Sequence, residues 1–316
     1  MKATTGKLTA TLAVAGSCMA GIAQAATVDM WAMSGAGDGN LWSIDVGANA
    51  TTLVGRLKDP VLGDVGGGWS TVAETPDKTL YFMRRFQNDV NIFKLDSTNI
   101  QRTAGVITNV VSLGSTGLGG NLDGLTAGPD GNLYFTAYDN NRTPFARNGL
   151  FRFHPGTGVT DFVGTFANDS GPSGRNSFYT DLAFDPITGD LVGTGFDKNG
   201  AFIPYRLSGA SVLTGNNQSY TYVDAFTSWN GLADGLAYNR LTGELYASSD
   251  TGGVYQINRT TGAVIKNVGN NAGSSVGTDL AVQADTIPGV PEPETYALML
   301  AGLAGVGVMA RRRRQA

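Results

Sequence analysis

One five-residue pattern returns five times along this chain, and it limits the fold more than any other feature. It reads apolar, aromatic, polar, apolar, then a turn-forming polar residue. The copies are Leu41-Trp42-Ser43-Ile44-Asp45, Ile92-Phe93-Lys94-Leu95-Asp96, Leu150-Phe151-Arg152-Phe153-His154, Pro204-Tyr205-Arg206-Leu207-Ser208 and Val254-Tyr255-Gln256-Ile257-Asn258. They recur at intervals of roughly 50 to 58 residues, a period that belongs to repeat architectures. β-Branched and aromatic residues around an internal polar one mark a short strand, with a turn to follow.

Other strands share the period. Ser70-Thr71-Val72-Ala73, Asp123-Gly124-Leu125, Asp181-Leu182-Ala183 and Asp234-Gly235-Leu236 each precede a copy of the first pattern. Turns such as Pro129-Asp130-Gly131-Asn132 and Thr188-Gly189-Asp190 lead from them into runs such as Leu133-Tyr134-Phe135 and Leu245-Tyr246-Ala247. Gly takes the positive φ those tight turns need, and the chain holds 45 Gly. A fourth strand ends each unit, as in Leu53-Val54-Gly55, Phe162-Val163-Gly164 and Asn267-Val268-Gly269. Four antiparallel strands per unit describe a blade, so the expected fold is an all-β, five-bladed β-propeller over residues 26–285. A β-sandwich is the alternative, but it gives no reason for five copies.

Closure follows from the two ends of the repeat. Asp279-Leu280-Ala281-Val282 is a first strand with no blade after it, while Val28 to Gly55 supplies three strands with no first strand. Together they complete one blade and remove the open edges that invite aggregation. The arrangement resembles the strand-exchange closure of many propeller families.

The two ends beyond the repeat read as addresses. Lys2 and Lys7, a small apolar stretch from Leu8 to Ala15 and the small-x-small triplet Ala23-Gln24-Ala25 form a signal peptide over residues 1–25, with cleavage by signal peptidase leaving Ala26 first. Cys18 offers a lipoprotein alternative, but the large aliphatic residue expected three positions earlier is Ala15. At the other end, residues 286–293 form a linker containing Val290-Pro291-Glu292-Pro293, and residues 294–316 form a transmembrane helix and Arg-rich tail. The prolines hold the linker extended. The apolar run is short for a permanent span, and Arg311, Arg312, Arg313 and Arg314 would keep that end cytoplasmic. This tripartite end resembles the PEP-CTERM sorting signal of Gram-negative bacteria. The resemblance implies recognition by an exosortase, transient anchoring in the inner membrane, and then a cell-surface or extracellular place among exopolysaccharide and biofilm.

Chemistry is sparse by comparison. The chain has one Cys and one His, which excludes cysteine-based zinc sites, disulfide frameworks and HExxH metalloproteases. The formal net charge is -4, and six of the basic residues stand in the terminal segments as Lys2, Lys7 and Arg311 to Arg314. The body is therefore acidic, and no nucleic-acid partner is expected. His154 occupies the turn-opening place held elsewhere by Asp45, Asp96, Ser208 and Asn258, which favours a local hydrogen bond over a role as general base. Gly273-Ser274-Ser275-Val276-Gly277 matches G-x-S-x-G without the helix that motif requires. Trp31, Trp42, Trp69 and Trp229 could stack on sugars if exposed, although Trp31 and Trp42 carry the strand pattern of core residues.

The most suggestive set is Asp123, Asp181, Asp234 and Asp279, with Ser70 in the fifth place. First strands line a propeller's channel, so these residues would ring one mouth. A hard cation such as Ca²⁺ held by several carboxylates is one reading. Acceptance of backbone N–H groups that lock neighbouring blades is the other, and it explains the recurrence with no ligand. No cofactor and no catalytic residue is assigned. The expected protein is an exported, non-enzymatic surface or matrix component, with exopolysaccharide or surface proteins as partners. A metal-dependent propeller hydrolase or lactonase and a glycan-binding module are the alternatives.

Overall fold

The computed structural model describes residues 29–34, 38–61, 68–86, 89–118, 121–138, 149–166, 179–196, 202–220, 223–224, 226, 235–249, 253–270 and 278–283. The segments read above as signal peptide, linker, membrane helix and Arg tail lie outside the described residues. Among the described residues no helix is long and apolar enough to cross a membrane.

Residues 27–287 form one compact unit. The chain enters through β1 (Asp29–Ser34), β2 (Asn40–Asp45) and β3 (Ala50–Leu57), which pair antiparallel in sequence order. The next sheet consists of β4 (Trp69–Glu74), β5 (Thr79–Phe86), β6 (Asp89–Asp96) and, after the short hairpin of β7 (Arg102–Thr103) and β8 (Val106–Ile107), β9 (Val111–Ser115). A third contains β10 (Asn121–Ala127), β11 (Leu133–Tyr138), β12 (Gly149–His154) and β13 (Val159–Phe166). The fourth is built from β14 (Tyr179–Phe184), β15 (Leu191–Phe196), β16 (Phe202–Leu207) and, beyond α1 (Gly209–Leu213) and β17 (Gln218–Tyr220), β18 (Val223–Asp224). The fifth is β19 (Leu236–Tyr238), β20 (Leu245–Ser248), β21 (Gly253–Ile257) and β22 (Val264–Asn270).

The last strand, β23 (Thr278–Val282), returns to the first sheet and pairs antiparallel with β1, Met30 opposite Val282 and Met33 opposite Asp279. The shared blade expected from the two ends of the repeat is therefore present. Innermost strands β4, β10, β14, β19 and β23 contact one another in that cyclic order and enclose the channel. This is a five-bladed β-propeller, and the sandwich alternative is set aside.

Period-two alternation builds the core. Val72 and Phe82 face the shared blade, whereas Ala73, Tyr81 and Met83 face the third sheet. The same split in every blade yields five apolar clusters, one for each interface between neighbouring blades. Close approach also explains part of the glycine content. Gly193 pairs with Tyr205 across the strands, and a Cβ there would lie 2.2 Å from the tyrosine ring carbon Cζ. A side chain at that position would have to displace a fully buried aromatic.

Two excursions were not legible as strands. β8 pairs parallel with β3 of the shared blade, and β17 pairs parallel with β13 of the third sheet. Each strap comes from one blade and covers the outer edge of the blade before it.

Candidate functional site

The channel is bounded by the inner strands, and its geometry is set by the residue immediately before each Leu or Val of the repeated motif. Those residues are Thr71, Gly124, Asp181, Gly235 and Asp279. Two residues further along, Ala73, Thr126, Ala183, Ala237 and Ala281 line a cavity of about 40 Å³ in the channel. Beyond the alanines, Arg240 crosses from the turn after β19 and donates from Nη2 to the carbonyls of Glu74 (2.9 Å) and Ala127 (3.3 Å). It thereby ties three blades together at that mouth. Desolvation among the strand ends lowers its pKa, opposed by the charges of Glu74 and Asp77.

The two aspartates at the other level are buried, Asp181 at 0% and Asp279 at 4% exposure. Asp181 accepts the N–H of Leu182 at 2.7 Å on Oδ1 and that of Leu236, in the next blade, on Oδ2. Asp279 does the same with Leu280 and with Val72 of the next blade, each at 2.8 Å. Each carboxyl thus satisfies its own strand and the neighbouring one, the interblade lock that the sequence admits. Their carboxyl groups also meet each other. Burial, and then the charge and hydrogen bond of Asp279, push Asp181 well above the ordinary carboxylate range.

Of the four aspartates read as a ring from the sequence, Asp123 does not share the register of Asp181 and Asp279. Asp181 and Asp279 directly precede their Leu, whereas Asp123 and Asp234 are separated from theirs by Gly. At Gly124 the β10–β11 pairing shifts between Asp123 and Leu125, φ is +67°, and a Cβ would stand 2.7 Å from the Asp181 Cα. Glycine is required there because the next blade's backbone fills the space. Asp234 and the side chains of Asp123 and Ser70 lie outside the described residues, as do Ser274 and Trp229.

His154 lies away from the channel, where β12 ends. Its Nε2 is 2.8 Å from Asp161 Oδ2, which also accepts from Arg152 Nη2 at 2.9 Å, and its carbonyl accepts the N–H groups of Thr157 and Gly158. The local role expected of this turn position is what its contacts show. Trp31 and Trp69 are core residues at 7% and 1% exposure. Sequence reasoning missed Arg240 and the buried pair of Asp59 with Arg84, whose Nη1 stands 2.5 Å from Asp59 Oδ2. A charged residue in a turn gives no signal that it reaches across a channel.

A pH dependence follows from the raised Asp181. The folded protein holds this proton more firmly than the unfolded chain does. Its stabilising contribution is complete below the unfolded value of about 3.9 and is lost as pH climbs through the raised folded value. In EDTA, the melting temperature of Asp181→Asn relative to the parent should therefore rise with pH above about 4. A difference between the two curves that is constant from acid to neutral pH would contradict the assignment.

Fold and channel define a five-bladed propeller closed by strand exchange between its two ends. At the C-terminal end, residues 289–314 match the PEP-CTERM protein-sorting motif, so the chain carries that signal. No curated protein matches the chain in sequence. Among solved structures it is similar to TolB from Acinetobacter baumannii, at 15% identity over 80% of this chain and 52% of that one, with a TM-score of 0.40. The chain thus spans about half the length of that TolB. A gluconolactonase from Xanthomonas campestris matches at 14% identity over 79% of this chain and 78% of that one, with a TM-score of 0.43. An engineered GH43 glycoside hydrolase matches at 13% identity over 80% and 52%, with a TM-score of 0.47. No functional residue is carried across from these structures.

Proposed function

We propose that this protein is an exported propeller, sorted by an exosortase through its C-terminal signal and displayed at the cell surface or in the extracellular matrix in a structural or binding role. The observation that carries this reading is the sorting motif at residues 289–314, joined to a separate compact unit over residues 27–287. In such signals the apolar helix holds the chain in the inner membrane while the protease acts at the Pro-Glu-Pro side. Exopolysaccharide and other surface proteins are the partners that setting supplies.

A non-enzymatic role rests on the parts present. Acyl or glycosyl hydrolysis needs a nucleophile or activated water, a base tuned toward neutrality and a charge stabiliser within mutual reach. Among the described residues, the one His is paired with Asp161 at a strand end, and Asp181 and Asp279 each accept two backbone N–H groups.

Processing supplies the test. Intact-mass analysis of the protein from cells with and without exosortase should show loss of the residues after about Pro293 only where the enzyme is present. Retention of Arg311 to Arg314 in exosortase-positive cells would overturn the sorting reading.

A further inference from the structure

The inner strands present five residues at one level of the channel, in the cyclic order Thr71, Gly124, Asp181, Gly235 and Asp279. Thr71 occupies in β4 the place that Asp181 and Asp279 occupy in theirs. It stands opposite Met83 of β5, as Asp181 stands opposite Thr194 of β15 and Asp279 opposite Met33 of β1. Each is two residues before an alanine that lines the channel cavity, so the three side chains point the same way from their strands. The two glycines between them contribute no side chain, which leaves that level to two carboxyl groups and one hydroxyl.

Thr71 supplies the observation that the interblade lock does not explain. The residue is 1% exposed, yet its Oγ1 has no hydrogen-bond partner. A buried hydroxyl with nothing to bond costs about 1–3 kcal/mol, so such a group in a native structure calls for an ordered water or a bound ion. Asp181 and Asp279 each accept two N–H groups and share a hydrogen bond with each other, while a carboxylate offers about four lone-pair sites. All three groups offer hard oxygen donors, the set preferred by Ca²⁺ and not by softer transition metals.

We propose that Asp181, Asp279 and Thr71 form a Ca²⁺ site inside the channel, with water completing the coordination, and that the ion joins three blades through their innermost strands. This assignment stands independently of how the C-terminal end is processed. Arg240 lies beyond the alanine level, at the other mouth, and leaves the carboxylates as the charges at the proposed site.

The test uses the exported protein, stripped with EDTA and then titrated with CaCl₂, followed by thermal melting and by equilibrium dialysis against ⁴⁵Ca²⁺. The parent should bind one ion per chain, with a melting temperature that rises and saturates as free Ca²⁺ increases, because a ligand of the folded state stabilises it by mass action. Thr71→Val keeps the shape and removes the donor. It should melt like the parent in EDTA, or slightly higher, and bind Ca²⁺ at least about tenfold more weakly, a loss in the range seen when a metal site's supporting groups are removed. Asp279→Asn should abolish binding. No retained ⁴⁵Ca²⁺ and superimposable melts in EDTA and Ca²⁺ would overturn the proposal, as would parent-like affinity in Thr71→Val. Because the threonine variant leaves both interblade locks intact, the result can be read even if Asp279→Asn fails to fold.

Discussion

Deletion of Asp279 to Asp285 should abolish cooperative melting and drive the protein into aggregates. The segment removed is small, but it contains most of β23, with Leu280 and Ala281 buried at 2% and 6% exposure. Its loss exposes the apolar interface with the blade of β19 to β22 and leaves β1 as an open edge. It also removes the Asp279 carboxyl that holds Val72 across the interface with β4, together with the Gln283 N–H bond to Asp29. Burial of one Leu and several ladder bonds amount to several kcal/mol, on the order of the whole stability of a typical domain at about 5–15 kcal/mol. An equal deletion in an exposed loop is the control and should have the smaller effect. If the two deletions melt alike, the shared blade does not hold the ring together.

A second large effect is expected at the pair of Asp59 and Arg84. Both side chains are buried, at 4% and 1% exposure, and the Arg84 guanidinium also lies over the Trp69 ring, 5.5 Å from its centroid. Asp59 further accepts the Val61 N–H at 2.7 Å, which fixes the chain just beyond β3. Asp59→Ala removes the carboxylate paired with a guanidinium that is 1% exposed. Removing one partner of a buried ion pair costs about 3–5 kcal/mol, so the melting temperature should fall on the order of 10 °C. Arg84→Met together with Asp59→Ala removes both charges and should recover a large part of that loss, since a hydrophobic replacement of the whole pair is often neutral. A double variant no more stable than Asp59→Ala would mean that the packing at Trp69, and not the charge, carries the effect.

The strands were legible because they obey local rules. In all five blades the third-strand pattern coincides with β2, β6, β12, β16 or β21, since alternation and a turn residue are written into a few adjacent positions. Asp-Gly and Thr-Gly turns were equally local, and Gly131 and Gly189 have φ of +80° and +78°. The straps gave no such signal. Arg102-Thr103 and Val106-Ile107 are too short for any period; they pair with each other as a hairpin, and Val106-Ile107 also pairs with the free edge of β3. The channel was half legible. Recurring aspartates pointed to the inner strands, but the one-residue difference between Thr-Asp-Leu and Asp-Gly-Leu takes Asp123 out of the register of Asp181 and Asp279. That difference matters only once the bulge at Gly124 is seen. Thr71 drew attention only as part of a motif, because an unmet hydrogen bond is a property of surroundings and not of sequence.

The strand exchange that closes the ring also sets a time order. Of the described strands β1 is the first to leave the ribosome and β23 the last, so β1 waits for nearly the whole propeller before its second neighbour exists. The four blades from β4 to β22 have their strands in sequence order and form from contacts within each repeat, whereas the fifth must join ends separated by the full length of the domain. Contacts of such separation are entropically costly and slow to form. Closure is therefore the natural late step of folding. Until then β1 has one bare side, which makes the nascent protein dependent on whatever keeps that edge apart from other chains during export.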